Sequence, residues 1–139
     1  MTEPSEVLAE LVRQHEMLRA SMDQCEQLAD LVDAGRGDIG ALVREVARLR
    51  GAFEAHNHFE EQVLRPILRT LDAFGDVRIE YMFADHVDEH RALRHRLDGP
   101  TAELRATLYQ LRAHLAGEER YFLSARVLRD DVVSVESTG

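Results

Sequence analysis

Four successive stretches of this chain repeat apolar residues in alternating steps of three and four, and in each of them histidine or glutamate breaks the repeat. Such steps return to one face of an α-helix, so each stretch predicts a helix with a single buried stripe. The first stripe is Leu8, Leu11, His15, Leu18, Met22, Cys25, Ala29 and Val32, with His15 as its polar member. The second is Ile39, Leu42, Val46, Leu49, Phe53, His56, Glu60, Val63, Ile67, Leu71 and Phe74, interrupted by His56 and Glu60. Ile79, Phe83, His86, His90, Leu93 and Leu97 form the third; Leu104, Leu108, Leu111, His114, Glu118 and then Tyr121 or Phe122 form the fourth. Every predicted helix thus carries polar residues where a core would demand apolar ones.

Glycine and aspartate mark the breaks at Gly35-Arg36-Gly37-Asp38, Gly75-Asp76 and Asp98-Gly99-Pro100, where glycine can end one helix and aspartate can start the next. The segments run from about Pro4 to Ala34, Asp38 to Phe74, Asp76 to Leu97 and Pro100 to Arg129. Short connections make successive helices antiparallel neighbours, which predicts an all-α, antiparallel four-helix bundle. His15 lies 19 residues before Ala34 and His56 lies 18 after Asp38, so the two should stand side by side. Glu60 and His90 match in the same way across the next turn, each 14 residues from it. His90 and His114 match less well, 7 residues before Leu97 and 14 after Pro100, which reads as a longer connection around Gly99-Pro100. Pro66 removes a backbone donor inside the second segment and should kink it or end its first part. With 139 residues, 45% of them hydrophobic, the chain suits one domain over residues 1–130. Residues 131–139 lack a helical period and read as a tail.

Charge narrows the partners. Seventeen Lys and Arg against 26 Asp and Glu give −9, which repels nucleic acid and anionic lipid. No stretch approaches the roughly 20 apolar residues of a membrane span, and the N-terminus lacks the basic and apolar regions of a secretion signal. The lone Cys25 cannot form an internal disulfide, so the reading is a cytoplasmic protein.

Residues four apart on a helix point the same way, so His56 with Glu60, His86 with His90 and His114 with Glu118 can each converge on one point. Buried carboxylates without compensation cost several kcal/mol each, and a positive metal cluster is the simplest compensation. Imidazole nitrogen and carboxylate oxygen without thiolate suit iron, zinc, copper or manganese. Seven donors, from His15, His56, Glu60, His86, His90, His114 and Glu118, exceed the needs of one ion, so two metal ions are expected, iron first. His58 and His95 fall off the stripes and read as solvated. Glu61 and Glu119 turn about 100° away from their neighbours Glu60 and Glu118, as surface charge or as hydrogen-bond partners of the ligands.

The set His15, His56-x-x-x-Glu60, His86-x-x-x-His90 and His114-x-x-x-Glu118 resembles the hemerythrin and hemerythrin-like HHE cation-binding family. Gln14-His15-Glu16-Met17-Leu18 and the run from His56 through His58-Phe59-Glu60-Glu61 to Pro66 are similar to the two halves of its signature. The second half is echoed at Glu89-His90-Arg91 and at His114-Leu115-Ala116-Gly117-Glu118-Glu119. The resemblance implies an up-down-up-down bundle binding two iron ions as an oxo- or hydroxo-bridged di-iron centre, with Glu60 and Glu118 as bridges. It implies reaction with dioxygen or a related small ligand such as peroxide, nitric oxide or azide, for sensing, storage or transfer. Alternatives are a di-iron enzyme consuming peroxide or nitric oxide, and an iron-handling or structural metal-binding bundle. Oxygen-carrying hemerythrins place His-x-x-x-x-Asp on the last helix, whereas here Glu119 takes the five-residue spacing and Glu118 the shorter one. Five histidines, two bridging carboxylates and one oxo bridge fill eleven of twelve positions on two six-coordinate irons. The open one is expected on the iron of His15 and His56, behind apolar residues such as Leu11, Leu18, Phe53 and Phe59.

Overall fold

The computed structural model describes residues 3–71, 75–97 and 103–121, with Leu123, Leu128 and Asp130, and describes side chains outside 71–85 and Tyr121. Helix α1 spans Pro4–Asp33, α2 Ile39–Phe59, α3 Arg65–Leu71, α4 Gly75–Leu97 and α5 Leu104–Tyr121. One π-helical turn, Glu60–Leu64, joins α2 to α3 without a break, so the described residues form four rods and no strand. The structure is an all-α four-helix bundle, as the stripes predict.

Local chemistry sets the first turn. Pro4 opens α1, and the Glu6 carboxylate accepts the Glu3 N–H at 3.4 Å. Gly35, at φ +72°, takes the left-handed conformation that ends α1, and the Arg36 N–H donates to the Leu31 carbonyl at 2.9 Å. A Cβ on Gly37 would lie 2.7 Å from the Val32 nitrogen, so only glycine lets the chain turn back this closely. Asp38 then caps α2 by accepting the Gly40 N–H at 2.8 Å.

Ion pairs fix the sense of packing between α1 and α5. Arg19 meets Glu119, Arg112 meets Asp23 and Glu26, and Arg105 meets Asp30 and Asp33. Residue numbers rise on one helix as they fall on the other, so the two run antiparallel. Between α1 and α2 the same order appears in the His15–His56 ring contact at 4.9 Å and in Ser21 Oγ donating to Glu45 at 2.9 Å.

Two apolar clusters fill the interior. The larger contains Leu18, Met22, Leu49, Phe53, Leu108 and Leu111, among others; the smaller contains Val7, Leu11, Leu64, Leu68, Leu123 and Leu128. Between them lies a layer of buried histidines and glutamates. The stripes need four corrections. Val7 is fully buried and Leu8 only partly, while Ile39, first residue of α2, stands 59% exposed at the bundle's end. Glu45 is more buried than Val46, with its carboxylate satisfied by Ser21 and by Arg48 at 3.2 Å. Beyond Glu60 the fully buried positions are Leu64 and Leu68, with Val63 and Ile67 at the margin.

The π turn explains the last shift. At 3.6 residues per turn, each four-residue step overshoots by about 40°, so His56, Glu60, Leu64 and Leu68 would wind off the core face. The wider turn cancels part of that drift. It also places the Arg65 N–H on the Glu60 carbonyl, an i to i−5 bond that ends just before Pro66, whose ring would crowd the carbonyl of an ordinary α-turn. The proline therefore changes the helix's pitch without ending it. The expected core residue Phe74, the side chains of Leu71, Ile79, Phe83, Tyr121 and Phe122, the Asp98-Gly99-Pro100 turn and the tail at 131–139 lie outside the described residues.

Candidate metal centre

All seven polar residues of the stripes are buried in the layer between the two clusters: His15, His56, Glu60, His86, His90, His114 and Glu118. His58 and His95 are exposed. The register between helices works as the residue counts require. Helix α5 begins at Leu104, so His114 stands ten residues into it against seven for His90 from the end of α4, which narrows the mismatch counted from Pro100.

Every imidazole presents Nε2 to the interior. Nε2 of His15 and of His56 lie 3.1 and 3.2 Å from Glu118 Oε2. Nε2 of His86 and of His114 lie 3.2 and 2.7 Å from the other oxygen, Oε1. Glu118 therefore faces α1 and α2 with one oxygen and α4 and its own helix with the other. Glu60 directs Oε1 between the halves, 3.3 Å from Nε2 of both His56 and His86 and 3.5 Å from that of His90. The donors form two overlapping sets, His15, His56, Glu60 and Glu118, and His86, His90, His114 and Glu118, each with its ligand atoms within 4.8 Å of one another.

Protons alone satisfy this cluster poorly. Glu60 Oε2 and Glu118 Oε1 are buried without a hydrogen bond among the described residues, since His114 Nε2 approaches Glu118 Oε1 without hydrogen-bond geometry. His90 and His114 point Nε2 at each other across 2.8 Å, two nitrogens competing for one proton. Burial and the Glu118 charge raise the pKa of Glu60, whereas Glu118, despite burial, is held well below the usual carboxylate range by its close contacts with Glu60, His114, His15 and His56. Burial alone would lower His56 and His86, but hydrogen bonds to Glu118 and Glu60 raise them to about 9 and about 10. His90 falls to about 4, through burial and the neighbouring imidazoles His86 and His114, with Glu118 opposing. Two carboxylates among five inward-facing imidazole nitrogens, with two carboxylate oxygens unpartnered, suit cations bound between them. Each of the two sets offers four donors able to hold a cation.

Adjacent carboxylates on α5 take different places. Glu118 enters the core, and Glu119 lies on the outer side of His15, with its Oε2 2.8 Å from His15 Nδ1. Arg19 grips Glu119 with two bonds of 2.6 and 2.9 Å, which lowers its pKa. Two further outer partners lie off the stripes: Gln14, hydrogen-bonded to His56 Nδ1 at 2.8 Å, and Glu89, at ion-pair distance from His114 Nδ1, 2.9 Å. Their signal in the sequence is only that each adjoins a stripe histidine.

A four-helix bundle whose core holds two overlapping sets of histidine and glutamate donors is a helical cation-binding domain. The family model described as hemerythrin HHE cation binding domain matches residues 6–126, and the chain belongs to that family. Comparison with curated proteins and with solved structures finds no significant match. Among the described residues no helix is long and apolar enough to cross a membrane.

Proposed function

We propose that this protein holds two iron ions and binds dioxygen or a related small oxidant at them, for sensing, storage or transfer. His15 and His56 would hold one ion and His86, His90 and His114 the other, with Glu60 and Glu118 shared between them. The observation that carries this reading is Glu118, whose two oxygens face the two histidine sets separately. Nitrogen and oxygen donors without thiolate suit iron, and Cys25 sits in the apolar cluster, its pKa pushed up to about 11 by burial, Glu45 and Glu26. Bound iron would supply the redox chemistry. The chain's own residues orient the imidazoles and exclude water, with apolar clusters sealing both ends of the layer. A reducing cytoplasm suits the buried free cysteine, and the net charge of −9 argues against nucleic acid or anionic lipid as a partner.

The two halves are unequal, with two histidines toward α1 and α2 and three toward α4 and α5. A pocket of about 260 Å³ lies beside His56 on the same side, lined by Met17, Leu18 and Phe59 and by Glu10, Arg13 and Gln14. Azide soaked into crystals of the oxidised protein is therefore expected end-on at the ion of His15 and His56. Density at the ion of His86, His90 and His114, or azide bridging the two, would overturn the assignment. A second reading, consumption of peroxide, draws support from a cleft of about 540 Å³ that His90 lines together with Asn57, His58, Glu61 and Arg91. Oxygen evolution from added peroxide separates the two.

Metal analysis and an optical spectrum of aerobically purified protein test the foundation: two irons per chain and visible absorption are expected, and one ion per chain or colourless zinc protein would refute it. His56→Ala and Glu60→Ala should each lower metal content and melting temperature. His58→Ala and His95→Ala, changed at exposed positions, should do neither. Equal losses from both pairs would mean that the buried layer is not the metal site.

A further inference from the structure

Three histidines of the centre have an acceptor side chain at their outer nitrogen, hydrogen-bonded at His56 and His15 and at ion-pair distance at His114, and each of these holders is the chain neighbour of a different member of the centre. Gln14, next to His15 on α1, holds Nδ1 of His56 on α2 at 2.8 Å. Glu89, next to His90 on α4, lies 2.9 Å from Nδ1 of His114 on α5. Glu119, next to Glu118 on α5, lies 2.8 Å from Nδ1 of His15 on α1. Consecutive side chains diverge by about 100° on a helix. When one enters the core, a neighbour can therefore lie along the flank and meet the adjacent helix.

The chemistry at each contact is the same. A carboxylate or amide oxygen can only accept, so each holder favours a proton on Nδ1, and in the neutral imidazole the lone pair then falls on Nε2, the nitrogen turned inward. The holders are themselves held. The Gln14 amide donates its Nε2 to Glu10 at 3.0 Å, which presents its oxygen to His56, and Arg19 clamps Glu119 with two bonds. His15 is thus gripped from both sides by consecutive residues of α5, Glu118 on Nε2 and Glu119 on Nδ1.

We propose that Gln14, Glu89 and Glu119 are positioning residues that select the Nδ1-protonated form of His56, His114 and His15, presenting Nε2 of each to the metals, with Arg19 aligning Glu119. The inference rests on the reading above that these histidines bind metal. Its consequence is that a helix contributes to the centre twice, once by its ligand and once by orienting the ligand of a neighbour. The loss of one holder should loosen binding by about 10- to 100-fold without removing any ligand.

The test uses the full chain loaded with zinc, which is diamagnetic, and compares zinc affinity by chelator competition with the ring N–H resonances of isotope-labelled histidine. The wild-type protein should hold two zinc ions and show slowly exchanging Nδ1 protons on His15, His56 and His114. Glu119→Leu should lose the His15 resonance and loosen zinc by that factor. Glu119→Gln keeps an acceptor oxygen and should retain most of both. Arg19→Leu removes the ion pair but not the acceptor, and should retain the resonance with affinity within a few fold. Glu89→Leu, at a side chain 54% exposed where folding is not at stake, should remove the His114 resonance alone. Equal loss in Glu119→Leu, Glu119→Gln and Arg19→Leu would show that Glu119 only braces α1 against α5. Unchanged affinity and resonances in Glu119→Leu and Glu89→Leu would refute the positioning role while leaving the metal centre standing. A wild-type protein that holds fewer than two zinc ions would bring down the metal reading, and this inference with it.

Discussion

Substitution of Glu118 by alanine is expected to abolish tight binding of both metal ions at once. One oxygen of Glu118 lies 3.1 and 3.2 Å from the inward nitrogens of His15 and His56, and the other lies 3.2 and 2.7 Å from those of His86 and His114. Among the described residues Glu118 alone belongs to both compact donor sets, while Glu60 reaches His56 and His86 through a single oxygen, 3.3 Å from each. Losing it removes one of four donors from each set, together with a negative charge that offsets the cations. The damage should exceed the about 10- to 100-fold typical of a lost outer partner, and it should fall on both ions. Glu118→Gln should fail nearly as badly, because an amide offers one oxygen and no charge where two oxygens face two sets. The helices themselves should persist, since the two apolar clusters do not include residue 118. Metal analysis after dialysis, beside circular dichroism, decides the matter. A folded Glu118→Ala protein that keeps one ion tightly would show that the carboxylate serves a single site.

The stripes carried most of this arrangement because helical period and ligand spacing obey the same geometry. A residue that returns to the core face every three or four positions must meet the neighbouring helices, and His15, His56, Glu60, His86, His90, His114 and Glu118 all do so. The period slipped by one residue at Leu8 and Val46 inside regular helix, where Val7 and Glu45 are the buried neighbours, and failed over a longer run where the backbone left the α-helix. Nothing in the composition around Pro66 distinguishes a break from a π turn, and the choice exchanged Val63 and Ile67 for Leu64 and Leu68 as the buried residues. The outer partners were illegible for another reason. Glutamine and glutamate beside a core residue are ordinary surface composition, and only the packing of α1 against α2 and α5, and of α4 against α5, aims Gln14, Glu119 and Glu89 at particular nitrogens. The roles of Glu118 and Glu119 were likewise a question of rotation, and the structure turns the first inward and the second onto His15 and Arg19.

Removal of the metals should lower the melting temperature on the order of 20 °C or more at pH 8.5, and by less at pH 6.5. An ion that binds only the folded chain adds RT ln(1 + [L]/Kd), about 4 kcal/mol at a thousandfold excess over Kd and about 8 kcal/mol for two. For a domain of this size each kcal/mol is worth roughly 3 to 5 °C. The pH dependence follows from the metal-free protein. His56 and His86 have folded-state pKa values of about 9 and about 10, above the roughly 6.5 of an unfolded histidine. Stability from such groups is complete below about pH 6.5 and is lost as pH rises through the folded values. His90, at about 4, acts oppositely: its unfolded form takes a proton first, so it penalises folding only as pH falls from about 6.5 toward 4. Between pH 6.5 and 9 the metal-free fold therefore weakens. Metal binding moves the other way over the same range, because imidazole must give up its extra proton to bind, and fewer protons compete as pH rises. The gap between the two forms should widen with pH. Thermal unfolding of chelator-treated and anaerobically iron(II)-loaded protein at pH 6.5 and 8.5 measures it directly. A gap that stays constant, or narrows on the alkaline side, would show that protons and metal do not compete for these histidines and that the ions lie elsewhere.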